Sequence, residues 1–252
     1  MSQEGQARVA LVTGGVGGIG TAICREFAGN GYQVVSTYRA PEREAHAREW
    51  QRALAEDGLE AELVCMDVSD PESCEKGAKE VLERFGCVDV LVNNAGITRD
   101  TTMKKMSHEQ WSEVIHTNLD GVFNATHGFL NSMLERGAGR IINISSVNGQ
   151  KGQIGQVNYS AAKAGIHGFT KALAQEVARK GITVNTVSPG YTATDMVMAV
   201  PEEVREKIIA QIPVGRLGKP EEIAHMVAFL ADERSGFITG ADFSVNGGMH
   251  MY

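Results

Sequence analysis

Short runs rich in Val, Leu and Ile recur along the chain with helix-length stretches between them. Val9 to Thr13, Gln33 to Tyr38, Glu62 to Met66 and Val88 to Asn93 are nearly continuous in apolar character, the pattern of strands buried on both faces. Gly18 to Ala28, Glu42 to Glu56 and Pro71 to Phe85 read as helices, the third with Asp70 as N-cap and Pro71 at its first position. The alternation continues: Ser107 to Glu135 reads as a helix, Arg140 to Ser145 as a strand, Asn158 to Arg179 as a helix, and Thr183 to Ser188 and Asp242 to Val245 as strands. Such alternation predicts right-handed crossovers and therefore a doubly wound, mostly parallel α/β sheet of Rossmann type. With six prolines and no polar linker, no boundary is marked, and a single domain over 1–252 is expected. The segment from Pro189 to about Leu217 breaks the rhythm. It leaves the carboxyl end of a strand and carries Gly190, Pro201, Pro213 and Gly215, so a lid around 190–217 is expected, with a short helix near Glu202 to Ala210.

Composition narrows the class without changing this picture. Hydrophobic residues make up 42% and charged residues 22%, which excludes disorder and collagen. The formal net charge of -7 opposes a phosphate backbone, so nucleic acid is not an expected partner. No apolar run is long enough to span a bilayer, and the opening Met1-Ser2-Gln3-Glu4-Gly5 lacks the marks of a signal peptide; a cytoplasmic protein with no membrane partner is expected. Cys24, Cys65, Cys74 and Cys87 form no C-x-x-C pair and have no matching His spacing, so reduced thiols and no metal site are expected.

Thr13-Gly14-Gly15-Val16-Gly17-Gly18-Ile19-Gly20 directly follows the first strand and opens the first helix. Glycines there let the backbone approach a pyrophosphate, and the helix N-terminus holds its charge. The spacing is T-G-x-x-x-G-x-G. Together with Asn93-Asn94-Ala95-Gly96 and Tyr159-Ser160-Ala161-Ala162-Lys163, it resembles the short-chain dehydrogenase/reductase family over nearly the whole chain. The resemblance implies a nicotinamide dinucleotide held by Gly14, Gly15, Gly18, Ile19 and Gly20, with Asp67 and Val68 at the adenine and Asn94, Ala95 and Gly96 at the adenosine ribose. Pro189, Gly190, Thr192 and Thr194 would lie beside the nicotinamide. At the end of the second strand, where a carboxylate would accept the ribose 2′-OH of NAD, stands Tyr38, followed by Arg39. The missing acid and the guanidinium, with Arg43 as a second candidate, point to NADPH. One departure is Gly17, where many NADPH-using relatives carry a basic residue.

The same resemblance implies a catalytic set of Ser146, Tyr159, Lys163 and Asn118. Residues four apart share a helix face, and reducing a ketone needs a proton delivered to oxygen as hydride reaches carbon. An ammonium about 4 Å from the phenol would lower its pKa by roughly three units at an effective dielectric of about 20. Ser146 would hold the substrate oxygen, Lys163 would also hold the ribose, and Asn118 would anchor a water behind it. Ser145 is chemically equivalent to its neighbour, and only the family's thirteen-residue spacing to Tyr159 selects Ser146.

Within the family, Asn94 to Asp100, Ser145 to Gln153, Gly190-Tyr191 and Gly240 to Gly248 resemble members that reduce acetoacetyl-CoA, a short 3-ketoacyl-CoA, to the (R)-3-hydroxyacyl-CoA used for polyhydroxyalkanoate synthesis. Asp100, Gln153, Gln156 and Tyr191 would then meet the acyl-CoA. Two alternatives stand beside this reading. One is a 3-oxoacyl-acyl-carrier-protein reductase of fatty-acid synthesis, for which Arg136, Arg140, Arg179 and Lys180 would form a docking patch. The other is a nucleotide-binding regulator without turnover. Family members are commonly homotetramers, and the long helices carry apolar stripes suited to packing between subunits.

Overall fold

A computed structural model describes residues 7–251; the segment Met1 to Gln6 and Tyr252 lie outside the described residues. Seven parallel strands form one sheet in the order β3-β2-β1-β4-β5-β6-β7: β1 Val9–Val12, β2 Gln33–Tyr38, β3 Glu62–Cys65, β4 Val90–Asn93, β5 Gly139–Ile144, β6 Ile182–Pro189 and β7 Asp242–Val245. Alternate residues of β1 serve opposite layers. Val9 and Leu11 join a core with Ala78 and Val81 of α3 (Pro71–Phe85), Phe129 and Met133 of α5 (Gly121–Arg136) and Leu173 and Val177 of α7 (Val157–Val177). Ala10 and Val12 join Ile23 and Phe27 of α1 (Gly18–Gly29), Leu54 of α2 (Glu44–Glu56) and Val227 and Leu230 of α10 (Pro220–Ala231). Each such buried side chain contributes about 1.5–3 kcal/mol of transfer free energy, which is why the strands are apolar throughout. Among the described residues no helix is long and apolar enough to cross a membrane.

Helix starts follow local chemistry. Asp70 accepts from the Glu72 amide with Pro71 in the first turn, as the sequence predicts. The stretch expected as one helix from Ser107 to Glu135 divides into α4 (His108–Ile115), a π turn (His116–Asp120) and α5. Ser107 is its cap and not its first residue, exchanging hydrogen bonds with Gln110. The wide turn lets Asn118 reach the Ile97 peptide, accepting from its N–H at 2.8 Å and donating to its carbonyl at 2.9 Å, a reason for the π geometry that no apolar periodicity announces. Smaller differences share one origin, the tightening of chain ends: Pro41–Arg43 forms a 3₁₀ turn ahead of α2, and Ala178–Lys180 another after α7.

The long connection after β6 holds two short helices, α8 (Asp195–Met198) and α9 (Glu202–Ile209), the latter with no buried residue. Its feet are tied together: Gly218 N–H donates to Tyr191 O at 2.9 Å, Ala193 N–H to Gly218 O at 2.8 Å, and Arg216 pairs with Glu222 at 2.7 Å. A short helix absent from the sequence reading, α6 (Val147–Lys151), follows β5.

Candidate active site

The strand order reverses beside β1, and a cavity of about 610 Å³ opens there at the carboxyl ends of the strands, where open α/β sheets hold ligands. At one end lies the glycine turn. Thr13 builds its floor, its hydroxyl accepting from the Asn94 and Ala95 amides at 3.0 Å each, while the Asn94 side chain donates to Thr13 O and Gly14 O. Gly14 sits at φ 61°, a conformation that disfavours any side chain. A Cβ at Gly20 would lie 2.7 Å from Gly14 O and 2.8 Å from Gly15 Cα, so α1 packs directly on the turn. The α1 N-terminus has no side-chain cap and no acid in its first turn, which leaves its amides and positive dipole end to an anion. Thr194 of the long connection lies over this turn, its Cγ2 3.4 Å from where a Gly18 Cβ would stand.

Gly14, Gly18, Ile19, Arg39, Asp67, Val68, Asn94, Ala95 and Gly96 line the cavity, as do Pro189, Gly190, Tyr191, Thr192 and Thr194 of the segment after β6. Gly15 and Gly20 stand behind the wall as packing positions. Tyr38, read above as the residue in the carboxylate position, is not on the wall; Thr37 and Arg39 are. Side chains alternate along an extended chain, so residue 38 faces away, pairing in register with Cys65 of β3.

At the other end Ser146, Tyr159 and Lys163 converge. Ser146 ends the strand segment and caps α6, its Oγ accepting from the Asn148 amide at 3.1 Å and hydrogen-bonding to the Tyr159 phenol. Ser145 points elsewhere, donating to Lys163 O at 2.8 Å, so the two equivalent serines have separate tasks. Tyr159 is set by its neighbour Asn158, fully buried, which donates to Arg99 O and Gln110 O and accepts from the Tyr159 amide. Lys163 Nζ donates to Ile144 O at 2.7 Å and lies 5.7 Å from the Tyr159 ring centroid. Nζ and Asn118 Oδ1 both approach Gly96, at 3.6 and 3.3 Å from its Cβ position. Asn118 itself does not line the cavity; it is buried behind it.

The electrostatics differ from the sequence expectation. Burial raises the Tyr159 phenol above its usual value, with the Ser146 hydrogen bond lowering it less and Asp100 adding to the rise. Burial lowers Lys163 from 10.5 to about 8. The Lys163 ammonium is turned to the Ile144 carbonyl and is itself desolvated.

Of the residues expected to meet an acyl chain, Tyr191 and Gln156 line the cavity. Asp100 does not, but accepts from Gln156 Nε2 at 2.8 Å. Gln153 is exposed and held by Lys151 Nζ at 3.0 Å, because Gly152 at φ 74° turns the loop outward. Asn148 and Ile97 also line the cavity and went unread, since nothing in their spacing marks them. Behind the site, Asp242 on β7 accepts from Ser188 Oγ at 2.6 Å and Gln150 Nε2 at 2.8 Å and lies 3.5 Å from His167 Nε2. One carboxylate thereby joins β6, α6 and α7 behind the end of the cavity where Ser146, Tyr159 and Lys163 meet.

Known proteins similar to this chain match nearly its whole length. A family model described as enoyl-(acyl carrier protein) reductase matches residues 14–250. The chain is 57% identical over 246 residues to the acetoacetyl-CoA reductase of Cupriavidus necator, covering 97% of this chain and 98% of that protein. It is 54% identical to the acetoacetyl-CoA reductase of Allochromatium vinosum, covering 98% and 100%. To the 3-oxoacyl-acyl-carrier-protein reductase of Vibrio cholerae it is 47% identical over the whole of both chains.

Proposed function

Because the chain belongs to the short-chain dehydrogenase/reductase family, and is an oxidoreductase using a nicotinamide cofactor, we propose that it reduces acetoacetyl-CoA with NADPH to the (R)-3-hydroxyacyl-CoA that feeds polyhydroxyalkanoate synthesis. The observation that carries this reading is the meeting of Ser146, Tyr159 and Lys163 at one end of a cavity whose other end is an uncapped helix N-terminus beside Arg39.

The cradle suits the cofactor. Gly14, Gly18 and Ile19 at the positive end of α1 would hold the pyrophosphate, Arg39 the 2′-phosphate, and Asp67 and Val68 the adenine, all of them on the cavity wall. Asn94, Gly96 and Lys163 serve the riboses, and Pro189, Gly190, Thr192 and Thr194 the carboxamide. Bound NADPH supplies hydride. The Ser146 hydroxyl holds the ketone oxygen, and the Tyr159 O–H donates its proton to that oxygen as negative charge develops there. Lys163 stabilises the phenolate left behind, and Asn118, fixed on Ile97, backs the lysine. Two donors aimed at one oxygen suit a carbonyl rather than a carbon–carbon double bond, despite the enoyl reductase description of the family model. Side-by-side turnover of acetoacetyl-CoA and an acetoacetyl carrier protein, each with NADPH and NADH, tests the assignment; preference for the carrier-bound ketone overturns it. The carrier reading is weakened by its proposed patch: Arg136 pairs with Asp89 at 2.8 Å, and Arg140 is bound to backbone carbonyls of Gly139 and Gly181.

With Tyr38 and the second candidate, Arg43, both off the cavity wall, Arg39 is the cation proposed to meet the 2′-phosphate. Wild-type kcat/KM is expected to favour NADPH over NADH by more than about tenfold, and Arg39→Ala to bring the two within about threefold. Equal efficiencies in the unmodified enzyme would remove this argument. Tyr191 follows the Pro189-Gly190 turn and lines the cavity beside Gln156, so its ring bounds the acyl site. Efficiency is expected to fall from four-carbon to eight-carbon substrates, and Tyr191→Ala to reverse that ranking in part, since each accommodated methylene gains about 0.8 kcal/mol. An unchanged ranking by chain length in the variant would exclude this role. The long connection closes over the acyl chain, hinged at its paired feet.

The working assembly is a cytoplasmic homotetramer of single-domain subunits. Its support is two large apolar side chains exposed on different layers, Phe123 at 55% exposure on α5 and Phe229 at 49% on α10, which suit the two isologous contacts of a dihedral tetramer. The four cysteines are unpaired, in keeping with a reducing compartment.

A further inference from the structure

We propose that Asn158 is a positioning residue for proton transfer: its carboxamide locks the first turn of α7, and Tyr159 with it, to α4 and to the loop after β4, so that the phenol stays in register with Ser146 and the ketone oxygen. This rests on the reading of Tyr159 as proton donor given above and adds to it the group that holds that donor in place.

The position begins with an unmet need. The first amides of a helix have no partner inside it, and at the start of α7 the N-cap, Gln156, makes no side-chain cap. Its carboxamide is engaged with Asn148 and Asp100 instead. Asn158 meets the need from inside the first turn, its Oδ1 accepting from the Tyr159 N–H at 2.8 Å. Its Nδ2 donates to Arg99 O at 3.2 Å and to Gln110 O at 3.1 Å. All three partners are main-chain groups. One is an N–H that only donates and two are carbonyls that only accept, so the amide has a single orientation. Asparagine disfavours a helix interior because its side chain competes for backbone groups; in this fully buried residue that competition is what joins α7 to its neighbours.

The segment that Asn158 grips is itself fixed. Asn118 holds both the N–H and the carbonyl of Ile97, the Thr101 N–H donates to Gly155 O at 2.9 Å, and the Arg99 side chain pairs with Glu113 of α4 at 2.6 Å. Pinned on both sides, Arg99 gives Tyr159 a rigid reference. The same segment borders the reaction, with Ile97 and Thr98 lining the cavity beside Ser146 and Tyr159. Reacting groups tolerate little error, and a displacement of about 1 Å costs about 100-fold in rate.

The test asks whether the effect of Asn158 passes through the phenol. Asn158→Ser keeps a small polar group with one hydrogen to give, so at least one of the two carbonyls is released. With acetoacetyl-CoA, kcat should fall at least about tenfold, and the calorimetric Kd for NADPH should change less than about twofold because the glycine turn is untouched. In the Tyr159→Phe background the same substitution should change the single-turnover rate less than about twofold, since no phenol is left to misplace. A support with no part in positioning would lower both backgrounds alike, weaken NADPH binding in step, or lower the thermal midpoint and leave kcat per folded enzyme unchanged; each of these results overturns the proposal. Should Asn158→Ser fail to fold, Asn158→Asp, of nearly the same shape, keeps the acceptor for the Tyr159 amide and when ionised loses both donations; it is held to the same two comparisons. Near-normal turnover in Tyr159→Phe alone would overturn the functional reading and this inference together. A Tyr159→Phe enzyme that slows as expected, yet slows again when Asn158 is replaced, overturns this inference alone.

Discussion

Replacing Tyr159 with phenylalanine is expected to reduce turnover by at least about 100-fold while cofactor binding survives. The ring keeps its place because its position is set by the backbone of α7 and by Asn158, which grips Arg99 and Gln110. What disappears is the phenol hydroxyl that meets Ser146, and a positioned acid contributes about 10²–10⁴ in rate. The raised phenol pKa has its own consequence. The group stays protonated through the physiological range, so the donor form is fully populated, and ketone reduction should decline as pH rises past about 8, where Lys163 loses the charge that stabilises the phenolate. Single-turnover rates and calorimetric cofactor titration on the same variant check both halves. Near-normal turnover would mean that the proton arrives by another route.

Lys163→Met is expected to make the ligand-free protein more stable and the enzyme nearly inactive. The lysine is 4% exposed, and its pKa falls from 10.5 to about 8 by desolvation. Its folded pKa lies below its unfolded one, so the unfolded chain binds the proton more tightly. At neutral pH the charged lysine therefore opposes folding by about 3 kcal/mol, at about 1.4 kcal/mol per unit. That opposition is fully present below about pH 8 and fades as pH rises toward 10.5. Methionine fills similar volume without the charge and loses one hydrogen bond to Ile144 O, worth about 1 kcal/mol. Denaturant unfolding at pH 7 should show a gain of about 2 kcal/mol that falls to zero before pH reaches 10.5, where the fading charge penalty equals the lost hydrogen bond, and reverses above that point, with turnover down at least about 100-fold because nothing stabilises the phenolate. A variant less stable than wild type at pH 7 would contradict the burial argument.

Much of the sheet was legible because its strands are buried on both faces, which leaves runs such as Val34-Val35 and Val90-Leu91-Val92 with no polar interruption. The glycine turn and the Tyr159 and Lys163 pair were legible because their chemistry tolerates few residue types. The π turn at His116–Asp120 was not, since one extra residue per turn leaves the local apolar pattern nearly unchanged. Nor was α10, although Pro220-Glu221-Glu222 carries the proline and acids of a helix start. Tyr38 was misplaced because alternation, and not proximity in sequence, decides which side of a strand end faces a ligand. Gln153 was misplaced because loop direction depends on the positive φ of Gly152. The pKa pattern could not be read at all: it depends on burial and on where the ammonium points, here to the Ile144 carbonyl.

The Asp242 carboxylate gives this fold a temporal order. Its strand, β7, follows every other described element along the chain, while the groups it joins, Gln150, His167 and Ser188, lie far upstream. Domains assemble as their segments leave the ribosome, N-terminal parts first. A nascent chain can therefore form the glycine turn and its half of the sheet early, yet α6, α7 and the end of β6 lack their common clasp until residues 242–245 emerge and pair with β6. The glycine-turn end of the cavity is thereby assembled before the end where Ser146, Tyr159 and Lys163 meet, and a chain cut short just before β7 would keep the first without the clasp of the second.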